Sequence, residues 1–138
     1  MTPLFKKLNY KNQLEILAIN PPESFSNELG IMAESASIFK SEDEMPGIEF
    51  ALVFVTKQLE IDEMIPRIYP KLKGDAVLWF CYPKGSSKKY KCDFNWDTGW
   101  KELKKINLEP VRQIAIDDDW SALRFRKIEF IKTMCRKL

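Results

Sequence analysis

Residues 48–55, IEFALVFV, and 76–82, AVLWFCY, are nearly continuous apolar runs. Runs of this length predict central strands covered on both faces. Residues 14–19, LEILAI, predict another strand, closed by Asn20-Pro21-Pro22. Pro83 closes the 76–82 run in the same way, because proline has no N–H to give a ladder. Residues 35–39 fit a further short strand. Between these runs the spacing changes. Residues 22–30 read as a short helix, with a proline in the first turn, Glu23 at its positive end and Gly30 at its exit. From residue 59 to 72 the apolar positions Leu59, Ile61, Met64, Ile65, Ile68, Tyr69 and Leu72 fall mostly at helical spacing. Thr56 is placed to cap that helix. Pro66 tightens or kinks it, and Pro70 marks its end.

Two polar turns break up the first half, an acidic one at 41–47 and Lys73-Gly74-Asp75. The segment 84–91, KGSSKKYK, is a basic loop. Residues 95–106 read as a modest helix with Trp96, Trp100 and Leu103 on one face. Residues 110–116 and 120–128 read as strands joined by the turn Asp117-Asp118-Asp119. In the second of these, Leu123 and Phe125 alternate with Arg124 and Arg126, so one face is wet. Residues 129–138 are a terminal helix or an extension. The succession predicts an α/β layer fold with a mostly parallel sheet of five or six strands. An antiparallel hairpin closes one edge.

Composition narrows the chemistry. The 138 residues suit one domain, residues 1–138, with a real core. Net charge is +2, which gives no basic excess that implies nucleic acid. No apolar run reaches the roughly 18 residues of a membrane span. There is no histidine, which removes Ser-His-Asp and Cys-His catalysis and imidazole metal sites. The three cysteines, Cys81, Cys92 and Cys135, have neither CxxC nor zinc spacing. Their odd number fits a reducing, cytoplasmic setting. Cys81 and Trp79 lie in a buried strand and read as core.

In open parallel sheets ligands bind beyond the carboxyl ends of the strands. The predicted order brings residues 20–23, 40–42, 56–57, 83–88 and 117–120 to that rim. The candidate ligand residues are therefore Asn20, Glu23, Thr56, Lys84, Ser86, Lys88, Asp117 and Trp120. The loop around Lys84 has a glycine, hydroxyls and ammonium groups able to hold an anion, but it is no Walker loop. The acidic turn has no calcium-loop spacing. Cys92, near Lys89 and Lys91, has no activating histidine and reads as an inert thiol.

Residues 48–79, with the Tyr69-Pro70-Lys71-Leu72-Lys73-Gly74-Asp75 passage before a strand, resemble the late strand-helix-strand part of the Rossmann-like methyltransferase superfamily. Residues 110–128 resemble its closing antiparallel hairpin. That resemblance implies a three-layer α/β fold around one sheet and, in cofactor-using members, S-adenosylmethionine. The departure is at residues 18–25, where Pro21 and Pro22 stand in place of the glycine-rich loop. Glu42 or Asp43 would be the acid facing a ribose. Residues 2–8, 20–25, 53–56, 78–84 and 117–125 are also similar to a small bacterial family of domains of unknown function, which brings no activity with it. The expectation is a non-catalytic domain binding a protein or an anionic metabolite at the rim. No cofactor, no metal and no membrane or nucleic-acid partner is expected. A methyltransferase with an atypical cofactor loop is the alternative.

Overall fold

A computed structural model describes residues 2–94 and 100–135, with side-chain surroundings through residue 131. A short helix α1, Pro3–Lys7, precedes the first strand β1, Glu15–Ile19. A 3-10 turn, Glu23–Phe25, leads into α2, Ser26–Met32, and then β2, Ser37–Phe39. After a second 3-10 turn, Glu42–Glu44, come β3, Ile48–Phe54, and α3, Gln58–Ile68. A third 3-10 turn, Tyr69–Lys71, opens into β4, Leu72–Pro83. The chain closes with α4, Lys101–Lys105, β5, Leu108–Ala115, β6, Trp120–Lys127, and α5, Ile128–Cys135.

The six strands form one sheet in the order β2-β1-β3-β4-β6-β5. The first four are parallel to one another, and β6 joins β4 antiparallel with β5 outside it. Strand alternation explains why the apolar runs are unbroken. Leu17, Ala51, Val53, Leu78 and Phe80 face the layer containing Ile61, Ile65, Ile68 and Leu103. Their neighbours Ile16, Ala18, Phe50, Leu52, Val77 and Trp79 face the layer containing Phe5, Leu8, Leu29 and Met32. Helices α3 and α4 cover the first face, and α1 and α2 the second. The result is a three-layer, Rossmann-like α/β fold with a mostly parallel sheet and an antiparallel edge hairpin, as expected.

Local details go beyond these expectations or depart from them. Residues 3–7 form a helix that their polarity hides. Thr2 caps it, accepting from Phe5 N at 3.0 Å, and Phe5 and Leu8 are wholly buried. The helix expected over 22–30 begins later and runs through Gly30 to Met32. The helix expected from residue 59, with Pro70 at its end, runs from Gln58 to Ile68, and Pro70 falls in the 3-10 turn that follows. Lys73-Gly74-Asp75 is a bulge inside β4 rather than a turn before it. Between Ile48↔Leu72 and Phe50↔Val77 the pairing sets five steps of β4 against two of β3. Gly74 absorbs the excess at φ 50°. The expected helical start at residues 95–99 lies outside the described residues.

Candidate functional site at the carboxyl rim

The pairing register makes the rim continuous. Ile19 stands beside Val53, Phe54 beside Cys81, and Pro83 beside Trp120. Val55 N donates to Cys81 O at 2.8 Å, carrying the ladder one residue past β3. The carboxyl ends of β1, β3 and β4 and the start of β6 therefore share one edge. The chain passes from β1 to β2 on one side and returns past β1 to β3 on the other. That reversal lies between β1 and β3, the place where open α/β sheets take ligands.

A cleft of about 210 Å³ occupies this position, lined by Asn20, Pro22, Phe54, Thr56, Glu60, Tyr90 and Trp120. It brings together Asn20, Thr56 and Trp120, three of the residues expected from the sequence. Asn20 has φ 52°, so an asparagine supplies the left-handed turn that glycine gives elsewhere. Pro21 and Pro22 follow it and have no backbone N–H to offer an anion. Trp120 is buried, and its indole Nε1 has no hydrogen-bond partner among the described residues. Tyr90 packs on it with ring centroids 4.9 Å apart.

The positive end of α3 also faces this region, but its donors are committed. Glu60 Oε1 accepts from Thr56 N at 2.7 Å, Lys57 N at 3.0 Å and Thr56 Oγ1 at 3.2 Å. Asp93 Oδ1, from the loop after β4, accepts from Gln58 N at 2.7 Å, and Asp93 N donates back to Thr56 O. Thr56 is thus a donor to Glu60 rather than the expected helix cap. Two carboxylates already fill the place an anionic ligand would take.

The basic loop is tied to the acidic turn. Lys84 N donates to Asp119 O at 2.8 Å, and Ser87 Oγ donates to Asp119 Oδ1 at 2.9 Å. Ser87 Oγ in turn accepts from Tyr90 N at 3.1 Å and Lys89 N at 3.3 Å. Asp117 Oδ1 accepts from Asp119 N and Trp120 N, so Asp117 holds its own turn. Ser86, Lys88 and Glu23 are exposed, and Ser87 is the hydroxyl that the fold uses. Among the described residues no group of three acids, cysteines or histidines could hold a metal ion.

On the hairpin side of this loop is a larger cleft of about 360 Å³, with Tyr82, Lys84, Gly85, Phe94, Gln113 and Ser121 in its wall. Gln113 Nε2 donates to the Tyr82 hydroxyl at 2.6 Å. Burial pushes the Tyr82 phenol up, opposed by that hydrogen bond. Burial alone pushes the neighbouring Cys81 thiol well up. Cys92 borders the same cleft and donates to Phe94 O at 3.4 Å. Residues 82 and 113 are invisible as a pair in the sequence, because a strand pairing between β4, β6 and β5 brings them together. Glu42 goes elsewhere: its buried carboxylate meets Arg67 Nε at 2.7 Å. Arg67 is nine residues along α3 from Gln58, about 14 Å from the switch-point end. The ribose role suggested for Glu42 is therefore not supported by its position.

No protein-family model matches the chain, and no curated protein does. Solved structures share its fold. The N-methyltransferase NodS from Bradyrhizobium japonicum WM9 is 12% identical with a TM-score of 0.57, covering 90% of this chain and 92% of NodS. A SAM-dependent methyltransferase from Aquifex aeolicus is 15% identical with a TM-score of 0.52, covering 90% and 87%. The pyocyanin biosynthetic protein PhzM is 8% identical with a TM-score of 0.59, and this chain covers 52% of it. The fold is methyltransferase-like, and at such identities the likeness extends to the fold alone. Among the described residues no helix is long and apolar enough to cross a membrane.

Proposed function

We propose that this domain is a non-catalytic binding module for a small anionic molecule with an apolar body, held in the cleft beside Lys84. The observation that carries the reading is the make-up of that cleft. Its wall combines Tyr82, Pro83 and Phe94 with the Gln113 amide and one ammonium group. Its volume of about 360 Å³ falls within the roughly 300–1,000 Å³ range of small-molecule pockets. Anilinonaphthalene sulfonate, an aromatic body with one anionic group, is a suitable probe. It should bind one to one with a fluorescence rise, and Lys84→Ala should weaken it about tenfold, near the upper end for a partly exposed charge. Equal binding by Lys84→Ala would remove the cleft from consideration.

A second reading, methyl transfer from S-adenosylmethionine, is favoured by the switch-point cleft at Asn20. Its volume of about 210 Å³ is below the roughly 300 Å³ lower bound for a pocket holding a drug-sized ligand. The prolines after Asn20 remove donors as well. Calorimetry with S-adenosylmethionine decides between the two. The binding-module reading expects no heat of binding at millimolar ligand, and saturable heat would favour the enzyme. Membership of the small bacterial family and a cytoplasmic setting belong to the same proposal. The 117–125 pattern supports the first, and the odd cysteine number the second.

A further inference from the structure

The second face of the β5–β6 hairpin carries a row of arginines. Arg112 stands directly opposite Arg124 in the antiparallel register, and Glu109 opposite Arg126. Residues two apart on a strand share a face, so Arg124 and Arg126 follow one another along β6. Side chains directly opposite across a ladder lie about 5 Å apart at Cβ, and like charges there repel. Asp75 is committed to Arg126, accepting from its Nε at 3.0 Å and from Nη2. Arg124 is half-buried, and its Nε has no hydrogen-bond partner among the described residues. Burial, then the charge of Arg126, pulls the Arg124 guanidinium below its ordinary pKa, with Asp75 opposing and Arg112 adding to the effect. Arg112 is exposed and donates to Asn9 Oδ1 at 3.3 Å, at the exit of α1.

We propose that Arg112 and Arg124, with Asn9 at their edge, form a binding site for a phosphate monoester group. Two opposed guanidinium groups present planar forks that suit a tetrahedral oxyanion. A phosphate monoester carries about −1.5 to −2 near neutral pH, which matches the charge of the pair, whereas a carboxylate matches half of it. Asp75 is held by Arg126, and Glu109 lies across from Arg126 rather than from the pair. The site is separate from the rim: Arg124 is four residues along β6 from Trp120, about 13 Å.

The test follows the arginine Nε–Hε resonances of the ¹⁵N-labelled full chain as inorganic phosphate is added at constant ionic strength, with acetate as the comparison. Phosphate should shift Arg112 and Arg124 saturably with Kd about 1 mM or tighter, and acetate should bind at least about tenfold more weakly. Arg112→Gln, at an exposed position, should weaken phosphate about tenfold, and Arg112→Lys should weaken it less. Lys84→Ala should leave the phosphate response unchanged while weakening the sulfonate probe, so the two sites fail separately. Absence of a saturable shift, equal binding of acetate, equal binding by Arg112→Gln, or loss in Lys84→Ala would each overturn the proposal.

Discussion

The Ser87 hydroxyl donates to Asp119 Oδ1 at 2.9 Å across 32 residues of chain, fastening the loop after β4 to the turn that opens β6. The same oxygen accepts two backbone N–H groups, so one side chain organises the rim between Lys84 and Trp120.

Ser87→Ala removes those partners at a buried position. It should cost about 1–2 kcal/mol, measured by urea unfolding, and speed amide exchange at Lys89 and Tyr90. Ser86→Ala, one residue away and exposed, should stay within about 0.5 kcal/mol of the parent. Equal effects at the two positions would show that the network is not formed.

The N-terminal helix is anchored to the sheet by a buried long-range bond. Trp79 Nε1 donates to Leu8 O at 2.9 Å, and Phe5 stacks on Phe50 at 5.8 Å. Trp79→Phe leaves that carbonyl buried without its donor. It should cost about 1–3 kcal/mol and make the chain before β1 the first site of protease cleavage. Cleavage beginning in the 84–91 loop instead would contradict this.

Two glycines should respond with opposite sign to the same change. Gly30 lies exposed inside α2 with open space where a methyl group would project, so Gly30→Ala should stabilise by about 0.5–1 kcal/mol. Gly74 also has open space, but its φ of 50° makes Gly74→Ala strained, costing about 1 kcal/mol. Thermal unfolding of both variants checks the pair. Stabilisation at Gly74 would mean that the β4 bulge is not left-handed.

Alkaline pH should weaken the fold through Cys81 and Tyr82, whose protons burial holds above their ordinary values. Below the unfolded-state values, about 8.5 for a thiol and about 10 for a phenol, both states keep their protons and stability is unaffected. Above them the unfolded chain releases protons that the folded chain retains. Stability then falls with rising pH until the folded-state values are passed, by up to about 1.4 kcal/mol per pH unit for the wholly buried thiol. Cys81→Ala should flatten the slope between about pH 8.5 and 9.5, and an unchanged slope there would point to other groups.

The strands and their order were legible because burial on both sheet faces demands unbroken apolar runs, as in 48–55 and 76–82. From that order alone Asn20, Thr56 and Trp120 were assignable to one rim, and they line one cleft. What escaped was set by contacts distant in sequence. The polar-looking α1 depends on Phe5 and Leu8 meeting Phe50 and Trp79. The Gly74 bulge depends on β3 pairing with β4 in two registers. Tyr82 and Gln113 meet only because β6 lies between β4 and β5, and nothing in KGSSKKYK distinguishes Ser87 from Ser86 before the loop closes on Asp119.

The most direct measurement is ¹⁵N chemical-shift mapping of the full chain titrated with anilinonaphthalene sulfonate. The predicted result is saturable shifts centred on the Gly85 amide and the Gln113 side-chain amide, with little change near Leu14 and Leu59, exposed apolar residues elsewhere. Shifts centred on Leu14 or Leu59, with Gly85 and Gln113 unmoved, would contradict binding at the rim.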